Sequence, residues 1–156
     1  YYKGWAVYLK LAERFPLITF HVVGSGMSLV NPQKESQHLN NVVCHGQLTH
    51  QQLNLLLQKI DLHVFPSRSE GFPKVLLECA AAGVSSVVFS DYGAREWLKS
   101  GFVVDTEAEM ERQVQLLIQN PEVLQKASLA SYSFAKTYSW SQIVKQWESV
   151  FSSLRA

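Results

Sequence analysis

Residues 61–90 constrain the fold of this chain more than any other stretch. A short apolar run, Leu62-His63-Val64-Phe65, leads through a loop of small residues into an apolar helical stretch from Lys74 to Ala82. After Gly83 the chain enters a second apolar run, β-branched from Ser85 to Ser90. Short strands that alternate with helices imply a mostly parallel sheet covered on both faces.

The same alternation runs along the rest of the chain. Residues 4–14 predict a helix with Trp5, Tyr8, Leu9 and Ala12 on one face. Leu17–Val23 reads as a strand followed by a turn at Gly24-Ser25-Gly26, and residues 28–40 as a polar loop with a short helix. Asn41–His45 is a further strand ending at Gly46. Thr49 and Gln52 have capping-box spacing ahead of a helix bearing Leu53, Leu56, Leu57 and Ile60. A short helix is expected over Arg95–Lys99 and a last strand over Phe102–Val104. The final third is helical, with start signals at Thr106/Glu109, Asn120-Pro121 and Ser139/Gln142. Its last helix places Trp140, Ile143, Val144, Trp147, Val150, Phe151 and Leu154 at helical spacing, a stripe expected to pack.

The 156 residues form one expected domain, 1–156, with enough apolar sequence for a real core. The net charge of +1 and the absence of a basic run argue against nucleic acid as a partner. Cys44 and Cys79 lack metal or redox spacing and read as buried, reduced thiols, which fits a cytoplasmic protein. No apolar run approaches the roughly eighteen residues that a membrane span needs. His21, His45 and His63 fall on or beside strands, without zinc-site spacing, and read as structural. Gly24 and Gly26 do not complete a dinucleotide fingerprint, because Leu29 stands where its third glycine belongs.

The chemistry concentrates after Phe65, at the carboxyl end of a strand, where open α/β sheets bind ligands. Pro73 suits the first turn of a helix, and the N–H groups of Lys74, Val75 and Leu76 then lack intrahelical partners. They and the helix dipole favour an anion. Gly71 permits close backbone approach. Glu78, about one turn into the helix, can reach the same cleft and accept from a pair of hydroxyls, and Glu70 in the loop can accept from sugar hydroxyls. Taken alone, Glu70 could equally complement the helix dipole and Glu78 could be a solvated helix residue. Arg68 reads as a phosphate contact or a solvated loop residue, and Ser67 has no visible partners that would make it a nucleophile.

The string Pro66-Ser67-Arg68-Ser69-Glu70-Gly71-Phe72-Pro73, with Glu78 eight residues after Glu70, resembles the paired-glutamate motif of retaining GT-B glycosyltransferases of group 1, the family 4 class. Lys3-Gly4, Val22-Val23-Gly24-Ser25-Gly26, Cys44-His45-Gly46-Gln47-Leu48 and Ser90-Asp91-Tyr92-Gly93-Ala94-Arg95-Glu96 resemble the same family's other motifs in the same order. The resemblance covers nearly the whole chain. It implies a Rossmann-like three-layer domain, the carboxy-terminal, donor-binding half of a GT-B fold. The implied reaction moves a sugar from a nucleotide diphosphate sugar to a saccharide, glycan or lipid-linked hydroxyl acceptor, as in polysaccharide biosynthesis, with retention and without metal or other cofactor.

In that reading Lys3 and Glu70 are catalytic, with Lys3 at the diphosphate. Glu78 holds the ribose, and Gly71, Phe72 and Pro73 position the sugar. Lys74, Val75 and Leu76 offer backbone N–H groups, while Gly24, Gly26, Gly46, Gln47 and Leu48 border the nucleotide. The implied placement is cytoplasmic, or peripheral at the inner face of a membrane. Two alternatives are a non-catalytic nucleotide-binding module and a nucleotide-sugar epimerase relative.

Three departures accompany the resemblance. The family has a strand and an arginine loop before the lysine, and that strand sits mid-sheet, so either the parent chain is longer or the sheet is filled differently. The acceptor domain lies outside this sequence, and the last helix is implied to pass back toward it. The segment Lys99-Ser100-Gly101-Phe102 is shorter than the family's usual loop.

Overall fold

A computed structural model describes residues 3–24 and 31–154. The elements run α1 (Trp5–Arg14), β1 (Phe20–Val22), α2 (Pro32–Glu35), β2 (Val42–Cys44), α3 (His50–Leu57), β3 (Leu62–Phe65) and α4 (Lys74–Ala81). They continue as β4 (Ser85–Phe89), α5 (Ala94–Trp97), β5 (Phe102–Val104), α6 (Glu107–Gln119), α7 (Pro121–Lys136) and α8 (Trp140–Ser153).

All strand pairs are parallel, as expected from strands that are each followed by a helix. They form two ladders, β1–β2 and β3–β4–β5. Phe20 is registered to Val42, Leu62 to Ser85 and Val87 to Phe102. Among the described residues no ladder bond joins β1 to β3. One core nevertheless spans both ladders.

Strand β4 organises the layers. Its five residues are all buried, and side chains alternate across a strand. Val87 and Phe89 face a cluster built from Val7, Leu11 and Ala12 of α1, Phe20 of β1, Val104 of β5, and Met110, Val114 and Leu117 of α6. Val88 faces the other side, with Leu76 and Ala80 of α4, Ala94 and Leu98 at the two ends of α5, and Phe134 of α7. Helices therefore cover both faces, the expected three-layer α/β arrangement.

Several local expectations need correction. Strand β1 begins at Phe20, not Leu17, which is almost fully exposed. The Asn41 amide donates to the carbonyls of Ala12, Phe15 and Ile18, so the chain leaving α1 is held as a turn rather than extended. The Thr49 capping box forms in both directions. At Thr106 only half of it does: Thr106 accepts from the Glu109 N–H, but the Glu109 carboxylate accepts from Asp105. Asn120 and Ser139 stand at helix starts without side-chain caps; the Asn120 amide bonds back to Leu116 instead.

The stripe of α8 does not pack within the described chain. No residue of α8 is buried, and Trp140, Trp147 and Phe151 are 83%, 57% and 56% exposed. Trp147 and Phe151 stack on each other, with ring centres 5.6 Å apart. Cys79 is buried as expected, and burial foremost pushes its thiol up to about 12. Cys44 is only half-buried, against the Ser36 hydroxyl. No described helix is long and apolar enough to cross a membrane.

Candidate functional site

Parallel strands deliver their carboxyl ends to one edge, and the loops carrying the motif residues leave from that edge. The loop after β3 holds Glu70, and the residues before α1 hold Lys3. What brings these two together is Gly4. It caps α1 in the left-handed conformation (φ 73°), and a Cβ there would lie 1.9 Å from the Pro66 carbonyl oxygen. Only a residue without a side chain lets the start of α1 rest on the exit of β3.

With α1 seated there, Lys3 Nζ lies 2.7 Å from Glu70 Oε1. The Ser67 hydroxyl donates to the same oxygen at 2.5 Å. The Glu70 side chain is 13% exposed, against 55% for Lys3. Desolvation pushes the Glu70 carboxyl up, but the hydrogen bonds from Lys3 and Ser67 and the lysine's charge outweigh it, so its pKa falls below the ordinary value. The two residues expected to be catalytic thus form one ion pair, with the glutamate held ionised.

Helix α4 starts beside this pair. Pro73 stands at its N-cap rather than inside the first turn, and its carbonyl accepts from the Leu76 N–H at 3.0 Å. This corrects the expectation of three free donors: Leu76 N–H is engaged, and those of Lys74 and Val75 remain without a partner among the described residues. The Leu76 side chain is core, and Val75 packs on the cluster of Leu57, Cys79 and Val84. The Lys74 side chain is exposed. Glu78, half-buried one turn on, makes no hydrogen bond or ion pair among the described residues, which leaves its carboxylate available.

The Phe72 side chain rests on Trp97 and Tyr138, at ring distances of 4.7 and 5.8 Å. These aromatics fasten the Glu70–Pro73 loop to α5 and to the end of α7. Sequence reasoning missed both; their only signal was two aromatics beside helix ends, each of which reads as ordinary core. A Cβ at Gly71 would meet nothing within 4 Å, so open space lies over the loop there.

On the other ladder, the Gly24 N–H donates to the Gly46 carbonyl at 2.7 Å and joins the turns after β1 and β2. Gln47 is exposed and Leu48 half-buried beside them. Gly26 lies outside the described residues. His21 Nδ1 and His45 Nε2 share a proton position at 2.9 Å below these turns. Their ring planes lie within 18° and their centres 5.2 Å apart, the spacing of two rings joined edge to edge through one N–H···N bond.

Arg68 is engaged within the described chain rather than free in solvent. It donates to both oxygens of Asp91 and lies 3.8 Å over the Phe89 ring. The exposed Asp105 carboxyl lies below its ordinary value because Arg95 and Ser90 donate to it. Both contacts tie loops around β4 together, and neither reaches the Glu70 pair.

Comparison with known proteins agrees with this architecture. The sequence model of the family described as "Glycosyl transferases group 1" matches residues 1–134. An uncharacterized glycosyltransferase of Haemophilus influenzae is 25% identical over 167 residues, covering 96% of this chain and 45% of that protein. The fold superposes on sucrose-phosphate synthase from Thermosynechococcus elongatus with a TM-score of 0.82 at 18% identity, covering 97% of this chain and 42% of that one. It also superposes on TarM, with a TM-score of 0.77 at 21% identity, covering 94% and 31%. For the pneumococcal O-GlcNAc transferase GtfA, solved with UDP and GlcNAc, the TM-score is 0.70 at 17% identity, covering 96% and 32%. The chain spans less than half the length of each of these relatives. Because the family's sequence model takes in all the motif segments from Lys3 to Glu96, this chain belongs to the group 1 glycosyl transferases.

Proposed function

We propose that the chain is the donor-binding part, and the carboxy-terminal GT-B domain, of a family 4 glycosyltransferase that moves a sugar from a nucleoside diphosphate sugar to a hydroxyl acceptor with retention and without metal. The observation behind this reading is the meeting of Lys3 with Glu70 beside the start of α4, with Glu78 unpaired one turn further on. The solved relative that holds UDP and GlcNAc supports a nucleotide and a sugar as the ligand class.

Lys3 and the free N–H groups of Lys74 and Val75 offset charge on the diphosphate as the bond to the sugar breaks and the nucleoside diphosphate leaves. Glu70, ionised, accepts from sugar hydroxyls. Glu78 accepts from the ribose diol. Gly24 and Gly46 to Leu48 border the nucleotide. Donor chemistry gathers on this chain, while the acceptor side belongs to sequence present in the longer relatives. The chain alone is therefore expected to bind nucleotide weakly and to transfer no sugar.

Calorimetry tests the reading. A nucleoside diphosphate should bind better than its nucleoside, and Lys3→Ala should narrow that difference. Glu78→Ala should weaken nucleotide binding by more than about 1.5 kcal/mol, while a 2′,3′-dideoxy nucleotide loses little further on that variant. Equal affinity for nucleoside and nucleoside diphosphate would instead favour a binding module of another kind.

A further inference from the structure

Three described side-chain hydroxyls are buried without a hydrogen-bond partner: Ser85 Oγ, Tyr92 Oη and Ser100 Oγ. Ser85 opens β4 and Ser100 precedes β5, so both lie at the amino ends of the strands, away from the candidate site. Tyr92 alone lies at the carboxyl ends, in the loop after β4. Its ring packs edge-on against Phe65, the last residue of β3, with ring centres 6.2 Å apart. A buried donor without an acceptor costs free energy and requires an explanation.

The surroundings of the phenol supply one. Burial first, then the charges of Glu70 and Asp91, raise its pKa well above the ordinary value, so it keeps its proton and sits within the field of both carboxylates. Neither carboxylate bonds to it. Asp91 has both oxygens engaged by Arg68. Glu70 is served by Lys3 and Ser67, both on Oε1. A donor with a nearby carboxylate that is engaged elsewhere is one half of an exchange.

We propose that Tyr92 is the reserve donor for Glu70: when a diphosphate draws Lys3 off the carboxylate, the Tyr92 hydroxyl turns onto Glu70 and holds it in place. The inference rests on the donor-site reading above. Glu70 is largely shielded from water, so losing its lysine would leave a buried charge with Ser67 alone. Tyr92 is then a positioning residue, silent in the free chain and engaged in the liganded one. No covalent step is involved, and no proton leaves the phenol.

The test uses the full chain with UDP, GDP and ADP against uridine, guanosine and adenosine. Tyr92→Phe should lower affinity for the best-bound diphosphate about tenfold, the equivalent of roughly 1.4 kcal/mol, and leave the matching nucleoside within about twofold. The melting temperature of the ligand-free variant should stay level or rise, since an unsatisfied group has been removed. Diphosphate binding should red-shift a tyrosine absorption band in the parent chain and not in Tyr92→Phe.

In a Lys3→Met background the exchange has already happened, so Tyr92→Phe should there lower the ligand-free melting temperature. An unchanged diphosphate affinity without a spectral change would overturn the proposal, as would a fall of several degrees in the ligand-free melting temperature of the single variant. Either result, with diphosphate still preferred to nucleoside, leaves the donor site standing. Loss of that preference in the parent chain removes both.

Discussion

The two ladders of the sheet differ in how they are anchored. On the β3–β4–β5 side, β4 is buried along its whole length, with α4 and α7 on one face and α6 on the other. On the β1–β2 side only Phe20 is fully buried, Val43 is 40% exposed, and α1 supplies most of the cover. The proposed sugar and ribose residues, Glu70 and Glu78, come from the thick side. The residues proposed to border the nucleotide, Gly24 and Gly46 to Leu48, come from the thin side. A site built across such a difference has a stiff half that sets geometry and a lighter half that can yield to different ligands.

The largest expected contrast is in core truncation. Leu76→Ala on the thick side should cost roughly 2–5 kcal/mol in denaturant unfolding, whereas Val43→Ala on the thin side should cost less than about 1 kcal/mol. Similar losses at both positions would mean that the two sides are anchored alike.

Acid should separate the sides next. His63, on β3, is hydrogen-bonded to Ser86 Oγ at 3.0 Å, and burial lowers its pKa from 6.5 to about 4. The folded state therefore holds fewer protons than the unfolded chain between those values. Stability should be intact above pH 6.5 and fall as pH drops toward 4, on the order of 3 kcal/mol at about 1.4 kcal/mol per pH unit. His63→Leu should flatten that slope in urea midpoints measured across the window. The pKa of His21, on the thin side, is also lowered, by desolvation and then by His45, but the residue is more open. His21→Leu should flatten the slope less.

Gly4→Ala crosses the boundary, because α1 covers the thin side and Gly4 touches the thick one. The left-handed backbone alone should cost about 1–2 kcal/mol, and the contact with Pro66 adds to it. Diphosphate affinity should fall with it, since Lys3 moves with α1. A Gly4→Ala chain with parent stability would show that α1 does not need that seat. The smallest effect is expected at the surface: Arg14→Ala breaks the exposed pair with Glu111, which links α1 to α6, and should change stability by no more than about 0.5 kcal/mol.

The contrast also marks what the sequence could disclose. Strands Leu62–Phe65 and Phe102–Val104 are read residue for residue, and α4 to within one, because apolar runs bounded by glycine and proline are local signals. The Lys3–Glu70 contact belongs with what was not readable: the family resemblance names both residues for one site, but neither it nor their spacing says that the two side chains touch. The Arg68–Asp91 pair, the Trp97–Phe72–Tyr138 cluster and the three bonds from Asn41 were not readable, since each depends on which distant segment the sheet brings near. The stripe of α8 shows a different limit. Its helical period is real, yet periodicity says which side is apolar and nothing about what covers it.

The Lys3–Glu70 ion pair joins residues 67 positions apart. A chain that closes so long a loop loses conformational entropy before the contact returns anything, so such contacts tend to form late in folding. The strands and α4 can gather through nearer neighbours, β3 and β4 being joined by a single helix. The charge pair at the mouth of the site is then among the last contacts a folding chain completes. Chains caught earlier would carry a paired β3–α4–β4 unit on which α1 has not yet docked, so binding competence should lag behind formation of the β3–β4 ladder in time.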